Sequence, residues 1–147
     1  MEAIPLSDPA VPNEHLAGGC LCGAIRYKVN GEAKSTVLCH CTHCQRGSGS
    51  AFSVNLFVTP DQILLDGNPA RYDDRSESGN PVERFFCPRC GSSLYSRLST
   101  GLIAIKAGTL DKTAGIRPTG QFWQRSAQSW IGELNQLPGY ATVPAKT

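Results

Sequence analysis

The sequence has no run of about 18 apolar residues, so it offers no helix long enough to span a bilayer. It also lacks clustered positive charge. Its 14 Lys and Arg against 12 Asp and Glu leave a net charge of +2, spread along the chain. That is not the footprint of a protein that binds nucleic acid or an acidic membrane surface. No internal repeat and no low-complexity tract is present, which excludes a solenoid and a disordered array. The first residues, Met1-Glu-Ala-Ile-Pro-Leu-Ser-Asp, have neither a basic n-region nor an apolar h-region. No secretory signal is expected, and the chain is assigned to the reducing cytoplasm.

What the sequence does have is cysteine. Seven fall in three tight clusters: Cys20-x-Cys22, Cys39-x-Cys41-x-x-Cys44 and Cys87-x-x-Cys90. In a reducing compartment such clusters are metal ligands rather than disulfides, and the odd count agrees. Residues i and i+2 of a strand project to one face, so Cys20 and Cys22 can grip one ion together. Cys87-Pro-Arg-Cys-Gly91 has the form of a zinc knuckle, with Gly91 free to take a positive φ just past the second ligand. Together these four thiolates saturate a tetrahedral zinc, and the site they make is read as structural.

The middle cluster is left with three sulfurs. A tetrahedral zinc with three protein ligands keeps one position open, as catalytic zinc sites do. His40 and His43 are the local candidates for a fourth ligand, but strand alternation turns His40 away and adjacency to Cys44 cramps His43. Both are expected to face solvent or to hydrogen bond within the turn. A closed site completed by a distant Asp or Glu is the alternative. Soft thiolate surroundings favour a fourth sulfur, and coordination deprotonates a thiol, so such a site suits capture of a small thiol or chemistry next to sulfur. A metal-activated water is the other option.

Around the cysteines the chain reads as short strands punctuated by turns. Strands are expected at Ala24–Val29, Ala51–Val58, Gln62–Leu65, Val82–Phe86, Ser92–Arg97 and Leu102–Lys106. Gly67-Asn-Pro69 and Gly79-Asn-Pro81 mark turns. Helix signals are thin: one turn at Thr42–Arg46, and a short helix at Ser126–Leu134 with Trp130 and Leu134 on one face. Residues 1–15, with three prolines and His15, form a loose arm. Residues 16–140 form one zinc-binding β domain, and residues 141–147 a frayed tail.

The text Gly19-Cys-Leu-Cys-Gly-Ala-Ile-Arg-Tyr27, then Cys39-His-Cys-Thr-His-Cys-Gln-Arg-Gly-Ser-Gly-Ser-Ala-Phe52, then Phe86-Cys-Pro-Arg-Cys-Gly-Ser-Ser-Leu94 resembles the glutathione-dependent formaldehyde-activating enzyme family, whose relatives include centromere protein V. Trp130 and Leu137-Pro138 near the end fit as well, so the likeness runs over about residues 16–140. The resemblance implies a mainly β fold of the β-tent type: coiled antiparallel sheets around zinc sites, with few short helices. It implies two zinc ions per chain, a structural one on Cys20, Cys22, Cys87 and Cys90 and a catalytic one on Cys39, Cys41 and Cys44. It also implies carbon–sulfur lyase chemistry, the namesake reaction joining glutathione and formaldehyde into S-hydroxymethylglutathione. The chain departs from the family pattern at Gln45, where many members carry a basic residue, and at Gln121, where a histidine is often found.

The reading is therefore a cytoplasmic zinc-dependent carbon–sulfur lyase acting on a thiol or thiol–aldehyde adduct, with a glutathione-type substrate and no nucleic-acid or membrane partner. The alternative is a non-catalytic zinc module that binds a small molecule or a protein. Glutathione carries carboxylates, and Arg46, next to the cluster, is the candidate to bind one; a solvated surface residue is the plain reading. Phe52, Trp123 and Trp130 are expected to pack rather than to hold substrate. The oligomeric state is not legible.

Overall fold

Strand alternation in this chain sorts two environments rather than core from solvent. The computed structural model describes residues 16–144 and contains ten strands in two sheets. The first sheet has three antiparallel strands in the order β1 (Ala17–Gly19), β2 (Arg26–Val29), β5 (Ile63–Asp66). The second has seven. Its order is β10 (Gly120–Phe122), β3 (Ser35–Cys39), β4 (Ser53–Val58), β9 (Ile103–Lys106), β8 (Ser93–Leu98), β7 (Pro81–Phe86), β6 (Ala70–Arg75). All pairings are antiparallel except β10 with β3, which run parallel with Phe122 beside Cys39. The fold is mainly β, of the β-tent type. The arm expected over residues 1–15, with His15, lies outside the described residues, as do the last three residues of the tail.

One face of the seven-stranded sheet makes the main core. Leu56 and Val58 of β4, Ile103 and Ile105 of β9 and Tyr95 of β8 point to it and meet Tyr27 and Val29 of β2. Tyr27 Oη, buried at the bottom, closes a 2.7 Å hydrogen bond with Thr109 Oγ1. Gly18 is required here: a Cβ would fall 2.3 Å from the Thr109 carbonyl and 2.5 Å from Tyr27 Oη. Leu56 is fully buried, and Leu56→Ala is expected to cost about 2–5 kcal/mol through lost burial and a residual cavity. Denaturant midpoints check this; a loss under about 1 kcal/mol would mean that the core collapses around the deletion.

The opposite face carries the alternate residues of the same strands. Cys39 lies across from Ser53, Asn55 from Lys106, Ala104 from Ser96, and Ser96 from Arg84. This polar row is the floor of a cavity and not a solvated surface.

The expected strands are present with small shifts at their ends. Four strands, β1, β3, β6 and β10, are additional to those expected. The turns at Gly67 and Gly79 have positive φ, as does Gly91 behind the knuckle. Thr42–Arg46 extends to an α-helix, α1 (Thr42–Ser48), capped at its start by Cys41 and stopped at Gly49 in the left-handed region. The helix expected at Ser126–Leu134 is absent. Two 3₁₀ turns, Gln124–Ser126 and Ile131–Gln136, stand there, and Trp130 and Leu134 are exposed. The spacing of two apolar residues is no helix signal when no apolar surface waits to receive them. Among the described residues no helix is long and apolar enough to cross a membrane.

Candidate metal centres

The structure gathers the seven cysteines into two groups. Cys20, Cys22, Cys87 and Cys90 have their sulfurs within 4.8 Å of one another, and so do Cys39, Cys41 and Cys44. The first group closes the gap between the sheets. Cys20 and Cys22 sit in the turn between β1 and β2, and Cys87 and Cys90 in the knuckle between β7 and β8. The Sγ–Sγ distances from Cys22 are 3.6 Å to Cys20 and 3.8 Å to Cys87. The edge of a tetrahedron with metal–sulfur bonds of about 2.3 Å is about 3.8 Å, so the donor set fits zinc. The backbone supports thiolates here. Ile25 N–H donates to Cys20 Sγ at 3.3 Å and Arg89 N–H to Cys87 Sγ at 3.4 Å. Ser92 bonds Cys90 Sγ at 3.2 Å and lowers that thiol's pKa to about 5.

The second group is built within six residues. Cys39 ends β3, Cys41 caps α1, and Cys44 occupies the first turn of the helix. Cys44 N–H donates to Cys41 Sγ at 3.1 Å. Sulfur contacts from Cys39 and Cys41 pull the Cys44 thiol well below its ordinary value, with Ser53 and the Lys106 cation adding to the effect. All three cysteines are buried, and the indole of Trp123 packs on them. No Asp, Glu or His joins this group among the described residues, so the donor set is three cysteine sulfurs.

The histidines and glutamines beside the cluster hold the scaffold. His40 is fully buried, with Nε2 and Gln121 Oε1 2.9 Å apart, and its ring lies 5.5 Å from that of Phe52. Contrary to expectation, it neither faces solvent nor bonds within the turn: its partner Gln121 lies on β10, and the pairing of β10 beside β3 brings that partner in and buries the ring. His43 Nδ1 faces Asp74 Oδ2 at 2.9 Å. Gln45 donates to the carbonyls of His40 at 2.8 Å and Ser126 at 3.0 Å, tying α1 to the segment after β10. That segment places Trp123, whose φ of 58° makes it the one described non-glycine residue in the left-handed region. Strain of this kind persists where surroundings impose it and gathers at functional sites. Arg125 stacks 4.9 Å over the same ring.

The three-cysteine group opens into a cavity of about 240 Å³ over the polar face of the large sheet. Phe57, Phe122 and Trp123 wall one side, and Lys106 and Arg84 reach in from β9 and β7. Lys106 Nζ donates to Asn55 Oδ1 at 2.8 Å. Burial lowers its pKa, opposed by the charge of Cys44. Arg84 Nε donates to Asp74 Oδ2 at 2.8 Å. Burial would raise the Asp74 carboxyl, yet hydrogen bonds from His43 and Arg84 hold it below the ordinary carboxylate range. Arg46 lies elsewhere: it is exposed and faces a separate groove with His43 and Tyr72. The outer face of α1 carries it away from the cavity. Phe52 is also outside the cavity lining, against His40, whereas Trp123 does line it.

A family model described as glutathione-dependent formaldehyde-activating enzyme matches residues 15–126. The chain belongs to this family. Two curated relatives agree: an uncharacterized lyase of Schizosaccharomyces pombe, 31% identical over 84 residues, which are 57% of this chain and 58% of that one; and a Halomonas elongata protein named provisionally as a glutathione-dependent formaldehyde-activating enzyme, 31% identical over 85 residues, 54% of each chain. The matched segment thus spans a little over half the length of each. A crystal structure of a Rhodobacter sphaeroides protein shares the fold, with a TM-score of 0.54 at 17% identity, over 71% of this chain and 98% of that one. The formaldehyde-activating family match covers all three cysteine clusters of this chain and the strands that carry them.

Proposed function

We propose that the protein is a cytoplasmic, zinc-dependent carbon–sulfur lyase that acts on a thiol or a thiol–aldehyde adduct, with a glutathione-type substrate. The observation that carries this reading is a set of three buried cysteine sulfurs, without a fourth protein ligand among the described residues, facing a cavity. When bound there, zinc supplies a fourth tetrahedral position that favours sulfur and lowers the pKa of a thiol. The four-cysteine group takes the structural role in this reading, since its donor set is complete.

The chain's own residues supply the rest. Trp123, Phe57 and Phe122 set an apolar wall beside the sulfurs, which lowers the local dielectric and strengthens electrostatic interactions along that side. Holding the thiol sulfur and the carbonyl carbon together in that space removes the entropy of their encounter. A C–S bond forms as the carbonyl π pair moves to oxygen, and the thiol's proton ends on that oxygen. The reverse releases the thiol and the aldehyde. No oxidant or reductant is needed.

Cobalt in place of zinc reports on the open site. A small thiol such as glutathione is expected to strengthen the sulfur-to-cobalt charge-transfer band as coordination goes from three sulfurs to four, and an S-alkylated thiol is expected to leave it unchanged. Aldehyde added afterwards should alter the spectrum again. A cobalt spectrum indifferent to saturating glutathione and to other small thiols would refute thiol capture.

A further inference from the structure

The cavity floor holds a polar group that its own chain leaves unused. Ser96 is 3% exposed, lines the cavity, and its Oγ has no hydrogen-bond partner among the described residues. A buried hydroxyl without a partner is costly and needs a reason. Its neighbours supply one. Register sets Ser96 directly across from Arg84 on one side and Ala104 on the other, with Lys106 two residues along from Ala104 on the same face. Arg84 uses only Nε on Asp74. Lys106 leans on a neutral acceptor, the Asn55 amide oxygen. Among the described residues no Asp or Glu lines the cavity. Two cations and an unpaired hydroxyl therefore converge on a space that contains no carboxylate of its own.

We infer that Ser96, Arg84 and Lys106 form a carboxylate subsite, and that within the thiol class proposed above the ligand this cavity fits best is a compact thiol acid, smaller than glutathione itself, whose carboxylate lies within a few bonds of its sulfur. This rests on the thiol-binding reading of the three-cysteine group. The guanidinium offers a planar pair of donors to a carboxylate, Lys106 adds charge, and Ser96 Oγ gains the partner it lacks. Compactness follows from volume. At about 240 Å³ the cavity is smaller than the roughly 300–1,000 Å³ that encloses larger ligands, so sulfur and carboxylate must be close together to occupy both ends.

The test is calorimetric titration of the zinc-loaded protein with 3-mercaptopropionate, 3-mercapto-1-propanol and propionate. The mercapto acid is expected to bind at least ~tenfold more tightly than the alcohol, the effect of a charge-assisted hydrogen bond. Lys106→Met should bring the two within about twofold by loss of acid affinity alone. Ser96→Ala should weaken the acid in the same direction while raising the melting temperature of the free protein, because it removes a buried orphan hydroxyl. A structural serine would not couple those two signs. Equal affinity for acid and alcohol in the parent protein overturns the subsite and leaves thiol binding intact. Failure of every thiol to bind, with propionate binding lost in Ser96→Ala, overturns the thiol reading and leaves the subsite. Failure of all three ligands overturns both.

Discussion

Cys87→Ser leaves the chain unfolded or aggregated. Cys87 is 1% exposed, packed in the main core beside Cys20, and its sulfur lies 3.8 Å from that of Cys22, 65 residues away. The ion these four sulfurs fit ties the turn before β2 to the knuckle between β7 and β8, so it fastens the small sheet to the large one. Zinc binding of this kind is folding free energy, on the order of 10 kcal/mol. A domain's whole stability is about 5–15 kcal/mol. Losing one thiolate removes much of that and leaves a polar hydroxyl in the core. Circular dichroism and soluble yield of the variant report it, and exhaustive chelation of the parent protein should reproduce it. A Cys87→Ser protein that melts within a few degrees of the parent would show that the clasp is dispensable.

The strands read most easily from sequence are those with one face in the core. Ile25, Tyr27 and Val29, and again Leu56 and Val58, repeat with period two because only alternate residues meet apolar neighbours. Cysteine spacing was equally readable, since two-residue periodicity and knuckle geometry are local. β6 was not. Its sequence, Ala-Arg-Tyr-Asp-Asp-Arg, has no apolar side because it is an edge strand whose pattern serves solubility and not burial. β10 was hidden for another reason. Three residues long and parallel to β3, it is made by tertiary pairing rather than by propensity.

The cavity shows where proximity in sequence misleads. Arg46 is two residues from Cys44 and points outward, while Arg84, forty residues on, is brought in by four antiparallel pairings across the sheet. Ser53, Asn55, Ser96 and Lys106 alternate with core residues and so look like a solvated face. Only the sheet order shows that Asn55, Ser96 and Lys106 share the floor of one cavity, with Ser53 buried beside it. Trp123 carried no signal beyond being aromatic, because its position depends on a left-handed backbone and on Gln45 holding the following segment.

Cys41→Ser is the counterpart change, and its expected effect falls on chemistry instead of folding. Cys41 has two roles: its sulfur is one of three in the open group, and it caps α1 by accepting the Cys44 N–H at 3.1 Å. Serine is among the favoured N-cap residues, so the helix keeps its cap while the group loses a ligand. The three sulfurs lie within six residues and fasten only the end of β3 to one short helix, so little loop closure is lost. The variant should melt close to the parent and retain the tightly held ion of the four-cysteine group. Elemental analysis should show the bound zinc falling from two ions per chain to one. Thiol-dependent turnover should drop by about 100-fold or more, at or beyond the roughly 10–100-fold cost of removing a group that merely orients a metal ligand. If Cys41→Ser proves more damaging to the melt than Cys87→Ser, the structural and catalytic roles belong to the opposite groups. If it keeps both ions and full thiol affinity, the three-cysteine group is not where the thiol binds.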